Sequence, residues 1–122
     1  MTTQEIADRL VELNRANDHK TAYQELFTND AKSIENWGER EVHEGMEAIA
    51  KKGEQWEAAV EEVHEMSCSE PLVAEKSFAV TFSMDVTYKD GLGFPPGRSK
   101  MTELAVYSVN AEGKIYQEEF QG

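Results

Sequence analysis

The sequence predicts an α+β domain, a mostly antiparallel sheet covered on one face by helices. Two observations predict it. Apolar residues recur at helical spacing early in the chain and with period two late in it. Helices first and strands afterwards is the element order of an α+β fold rather than of alternating βαβ units. The chain has 122 residues, so 1–122 is read as a single domain.

Each element follows from its residues. Thr2 or Thr3 can cap a first helix over residues 4–16, whose apolar face is Ile6, Leu10 and Leu13, with Ala7 and Ala16 extending it. Asp18 can cap a second helix, from about His19 to Phe27, with Ala22, Tyr23, Leu26 and Phe27 on its apolar side. Thr28, Asn29 and Asp30 read as a turn, and a short strand follows from Ala31 to Trp37. Val42 to Glu44 is a second short strand. Gly45 then opens the longest helix, 46–63, along the stripe Met46, Ile49, Ala50, Gly53, Trp56, Val60 and Val63. Lys51, Lys52, Glu54, Glu57, Glu61 and Glu62 read as its solvated face.

From Glu65 the period is two. One strand spans 65–70. The most regular spans 77–89, with Phe78, Val80, Phe82, Met84, Val86 and Tyr88 on one face. Residues 90–99 hold three glycines and two prolines and read as a loop. Strands over 100–109 and 114–120 flank the turn Asn110–Gly113. Pairing Tyr88 with Lys100 and Val109 with Lys114 sends Phe82, Met84, Leu104, Val106, Ile115, Gln117 and Glu119 toward the helices. Asp85, Glu103, Tyr107, Tyr116, Glu118 and Phe120 then face away. A slip of one residue exchanges the two sets and brings Glu118 inward in place of Glu119.

Composition narrows the function classes. The net charge is -12, and no basic stripe offers a footprint for nucleic acid or anionic lipid. One cysteine, Cys68, rules out an internal disulfide and fits a reducing compartment. The first residues lack the pattern of a signal peptide, and no apolar run approaches the roughly 18 residues of a membrane span. A cytoplasmic protein is expected, with no nucleic-acid or membrane partner. His19, His43 and His64 lack the spacing of a metal-binding helix, so no metal is expected. Gly91, Gly93 and Gly97 lie between strands, not at a helix start, so they make no phosphate loop. No cofactor is expected.

Three stretches carry a family resemblance: Leu26–Ala31 followed by Ile34–Glu35–Asn36; Glu44–Gly45 followed by Glu47–Ala48–Ile49; and Gly113–Lys114–Ile115 with Glu118, Glu119 and Phe120 beyond. In this order they resemble the SnoaL-like branch of the nuclear-transport-factor-2-like superfamily, across nearly the whole chain. The resemblance implies a cone-shaped barrel, a strongly curved mixed sheet wrapped around the N-terminal helices with a pocket inside. It also implies a homodimer through the outer sheet face. The superfamily holds isomerases, cyclases, dehydratases, hydrolases and proteins without catalysis, so fold alone names no reaction.

What the resemblance implies about residues is specific. The steroid isomerases place a catalytic aspartate on the first strand, which falls on Glu35 or, by matching the triplet, on Asn36. They also use a helical tyrosine, for which Tyr23 is the nearby candidate. The SnoaL-type cyclases use an acidic residue on the last strand, here Glu119, or Glu118 under the slipped register. A carboxyl group in an apolar cone would hold its proton more tightly, as general acid/base work near neutral pH requires. Tyr23, Trp37, Trp56, Phe82, Met84 and Gln117 are the expected pocket residues, for a small apolar or aromatic molecule. The same aromatics could instead fill the core, which would leave a non-catalytic binding or dimerisation module.

Overall fold

The computed structural model describes Met1–Gly122. Its elements are α1 (Thr3–Arg15), α2 (His19–Leu26), β1 (Phe27–Glu35), β2 (Glu41–Glu44), α3 (Met46–Ala59), β3 (Val60–Cys68), β4 (Leu72–Val73), β5 (Ser77–Tyr88), β6 (Gly97–Val109) and β7 (Ile115–Gln121).

Local chemistry sets the helix starts. Thr2 caps α1 in a reciprocal box, its hydroxyl accepting from the Glu5 amide at 3.1 Å while the Glu5 carboxylate accepts from the Thr2 amide at 2.8 Å. The Asp18 carboxylate accepts from the Thr21 amide at 3.2 Å and caps α2. Gly45 enters α3 at φ +90°, a backbone region that favours glycine, and its amide donates to the Ala31 carbonyl at 2.8 Å. That bond ties the start of α3 to β1.

Among the boundaries that differ from expectation, three follow from the sheet overriding local composition. Thr28, Asn29 and Asp30 belong to β1, which runs parallel to β7. Helix α3 stops at Ala59, because Val60 and Val63 pair with Tyr88 and Val86 of β5. Strand β6 begins at Gly97, so Tyr88 faces Gly97 rather than Lys100.

The last difference decides the faces. Shifting a pairing by three residues moves every side chain of one strand to the other side of the sheet. Phe82 lies opposite Glu103, not Val106. The inner face therefore carries Phe78, Val80 and Phe82 with Glu103, Ala105, Tyr107 and Glu118. Val106, Gln117 and Glu119 share the outer face, as their mutual pairing requires. A bulge between Ser108 and Val109 returns Ile115 to the inside and leaves Tyr116 exposed.

The expected cone-shaped barrel is not what forms. Strand order is β2-β1-β7-β6-β5-β3, with β4 also on β5, and the edges β2 and β3 do not pair with each other. The sheet is open, neither closed nor strongly curled. A barrel needs its two edge strands joined. Here β2 has only four residues, and β3 is exposed along most of its length and carries Glu61, Glu62 and Glu65, charges of the kind that keep an edge unpaired.

The main core lies between the centre of the inner face and the helices. It includes Ile6, Leu10, Leu26, Ile49, Phe78, Tyr107 and Ile115. The rings of Phe78 and Tyr107 stack at 4.8 Å between centroids. A smaller cluster, Ala59, Val86 and Tyr88 with Trp56 and Met84 against it, sits under the C-terminal end of α3. Ser33 of β1 and Glu118 of β7 are the buried polar residues on this face.

Candidate functional site

Pairing of β1 with β7 puts Ser33 beside Glu118 and Glu35 beside Phe120, all on the inner face. Pairing of β7 with β6 adds Tyr107 opposite Glu118. From above, α2 delivers Tyr23 and α3 delivers Lys52. The result is a polar cluster built from five elements.

Its buried carboxyl group is Glu118, 1% exposed. The Tyr23 hydroxyl donates to its Oε1 at 2.8 Å. Burial holds the proton on Glu118 above the usual carboxylate range, while Lys52, Tyr23 and Ser33 pull the other way. Tyr23 and Tyr107 are both held strongly neutral, first by burial and then by the Glu118 charge. Lys52 Nζ donates to Glu35 Oε1 at 2.6 Å and to Ser33 Oγ at 2.7 Å, and lies 4.8 Å from the centre of the Phe120 ring. Glu103 stands further out on β6. Burial, and next the Glu35 charge, push its carboxyl group up to about 7.

The expected site residues divide accordingly. The structure brings Tyr23 and Glu35 into the cluster, and Glu35 faces it while Asn36 does not. Asn36 instead donates to Glu119 Oε2 at 2.8 Å and to the Phe120 carbonyl at 3.2 Å. Glu119 is thus on the outer side of β7, 3.7 Å from Arg40, and Gln117 shares that face. Phe82 packs on the main core from the inner face. Trp56 donates to the Tyr88 hydroxyl at 3.2 Å and belongs with Met84 to the second cluster. Trp37 is exposed beyond the end of β1.

Ser33, Lys52 and Glu103 were not among the expected residues. For Lys52 a signal existed. Ile49, Lys52, Trp56 and Ala59 are spaced by three, four and three, so Lys52 rides on the buried stripe of α3, and Gly53 is exposed instead.

Two surface grooves lie elsewhere. One, of about 330 Å³, is lined on the outer face by Glu65, Ser67, Ser83, Asp85, Lys100 and Thr102. There Arg98 holds Asp85 through bonds of 2.9 and 2.8 Å. The other lies between α1 and the segment after β3, around Arg15 and Glu70. Both are shallow and polar, unlike a typical small-molecule site. No group of three or more His, Cys, Asp or Glu side chains is arranged to hold a metal ion. No helix is long and apolar enough to cross a membrane.

A SnoaL-like domain family matches residues 1–121. The chain belongs to the SnoaL-like family. A solved relative from Mesorhizobium loti, a candidate SnoaL-like polyketide cyclase, is 34% identical with full coverage of both chains and a TM-score of 0.88. A nuclear-transport-factor-2-like protein from Burkholderia thailandensis has a TM-score of 0.81 at 13% identity, over 99% of this chain and 90% of that one. A candidate cyclase of Jannaschia has a TM-score of 0.75 at 17% identity, over 98% and 85%. These last two show the fold alone. Among proteins with curated functions, none matches the sequence.

Proposed function

We propose that this SnoaL-like protein binds a small apolar or aromatic carbonyl compound at the interior cluster and moves a proton on it without a cofactor. Glu118 is the acid/base. The observation that carries this reading is a carboxyl group 1% exposed, tied to a tyrosine, with its proton affinity raised by burial. In its ionised form Glu118 takes a proton from carbon next to the carbonyl, leaving an enolate. The protonated form then returns it, to another carbon in an isomerisation, or to the alkoxide left when the enolate attacks a second carbonyl in a cyclisation. The cyclase variant draws support from the Mesorhizobium loti relative.

Glu35, Trp37 and Phe82 line the approach in this reading, and Trp56 and Met84 border it. Gln117 and the earlier candidate Glu119 lie on the other side of β7 and stay outside the proposed site. The same protein forms a homodimer through the outer sheet face, a reading supported by Leu104 standing exposed there.

The test is hydrogen exchange at the methyl group of 2-acetylnaphthalene in heavy water, followed by mass spectrometry. The protein accelerates exchange, and Glu118→Gln lowers the acceleration by about a hundredfold or more. Equal exchange by the folded variant rejects Glu118 as the acid/base.

A further inference from the structure

We propose that Lys52 is the group that receives the substrate's carbonyl oxygen, which makes the ligand class one with a hydrogen-bond-accepting oxygen set on an apolar body. This rests on the interior cluster being the binding site.

Lys52 is the cation of the cluster, and its charge acts on both Glu103 and Glu118. An ammonium carries three donors. Glu35 and Ser33 take two, at 2.6 and 2.7 Å. No protein acceptor takes the third. The side chain is 22% exposed, enough for a ligand to reach it while it stays mostly out of water. The Phe120 ring beneath it offers an apolar surface on which a flat body can rest beside the ammonium.

Tyr23 cannot serve the same oxygen as things stand. Its hydroxyl hydrogen is directed to Glu118 at 2.8 Å. A carbonyl that turns into an enolate gains negative charge on oxygen, and the cluster has one cation to meet it. The Glu35 and Ser33 bonds fix that cation in place, which spares the cost of orienting it during the reaction. Proton removal neutralises Glu118 as the negative charge passes to the substrate oxygen, which is where the Lys52 ammonium stands to meet it.

The experiment measures binding of 2-acetylnaphthalene and of 2-ethylnaphthalene, which lacks the oxygen, to the full chain and to Lys52→Met. Because Lys52→Met leaves Glu35 without its partner, the double variant Lys52→Met/Glu35→Gln is measured alongside, with circular dichroism confirming the fold. The ketone binds the natural chain about tenfold more tightly than the hydrocarbon, and the folded variant loses that preference while still binding the hydrocarbon, as loss of one charge-assisted hydrogen bond dictates. A preference that survives the substitution, or none in the natural chain, overturns the role of Lys52 and leaves the interior site standing. Binding of neither compound to the natural chain contradicts the interior site itself, and the Lys52 role with it.

Discussion

Glu118 is bounded by a tyrosine hydroxyl, a serine and, through that serine, a lysine, so its charge is contested by burial on one side and by donors on the other. Removing the Tyr23 hydroxyl tips that contest. Tyr23→Phe costs about 1–3 kcal/mol in urea unfolding, the range for a buried partner left unsatisfied, and raises the Glu118 titration midpoint further. Glu103 supplies a pH dependence of known sign. Its carboxyl group is raised in the fold to about 7, so the protonated form is the one the fold prefers. The stability it gives is complete below its ordinary value of 4.5 and is lost as pH rises through about 7. Unfolding at intervals across that window shows stability falling with pH, and Glu103→Gln makes the fall shallower; Glu118, raised for the same reason, keeps part of it. At this scale the sequence shows the acidic candidates of the last strand but not which faces inward. That choice depends on where β6 begins, and Pro95, Pro96 and Gly97 read as loop although the strand starts at Gly97. Lys52 was readable from spacing alone, since charge is a weaker guide than helical period when a lysine has a carboxylate beneath it.

Elements are fixed by caps at one end and by sheet pairing at the other. The Asp18 cap and the Thr2–Glu5 box are visible in sequence, and the helix starts follow them closely. Helix and strand ends set by pairing are not, as Thr28–Asp30 and Val60–Val63 show: the turn-like triplet is carried as an irregular stretch between the Phe27 and Lys32 pairings with β7, and the helical tail became strand because β5 offered it a ladder. Gly45 joins the two kinds of control. It sits at φ +90° with its amide on β1, so it aims α3, and with it Lys52, at Ser33 and Glu35. Gly45→Ala costs about 1 kcal/mol or more, since only the backbone conformation is strained and the space beyond is open to ordinary contact. Thermal unfolding checks it: an unchanged midpoint means the positive φ is not held in solution.

The whole molecule is an open sheet with helices over its centre, and the polar cluster lies where helix cover meets the inner face. Its class as α+β follows from the element order; its openness does not, because the edges β2 and β3 are separated only by α3 and nothing local says whether they pair. The outer face remains available to a second copy. Light scattering gives twice the chain mass if the homodimer forms, and the mass of one chain at high concentration ends that proposal. The central claim is that the interior cluster, not the outer groove, is where the small molecule binds. Amide chemical shifts of the isotope-labelled protein during addition of 2-acetylnaphthalene test it most directly. Binding inside moves Tyr23, Ser33, Lys52 and Glu118 together. Movement confined to Glu65, Ser67, Lys100 and Thr102 would place the ligand on the outer face and contradict the account.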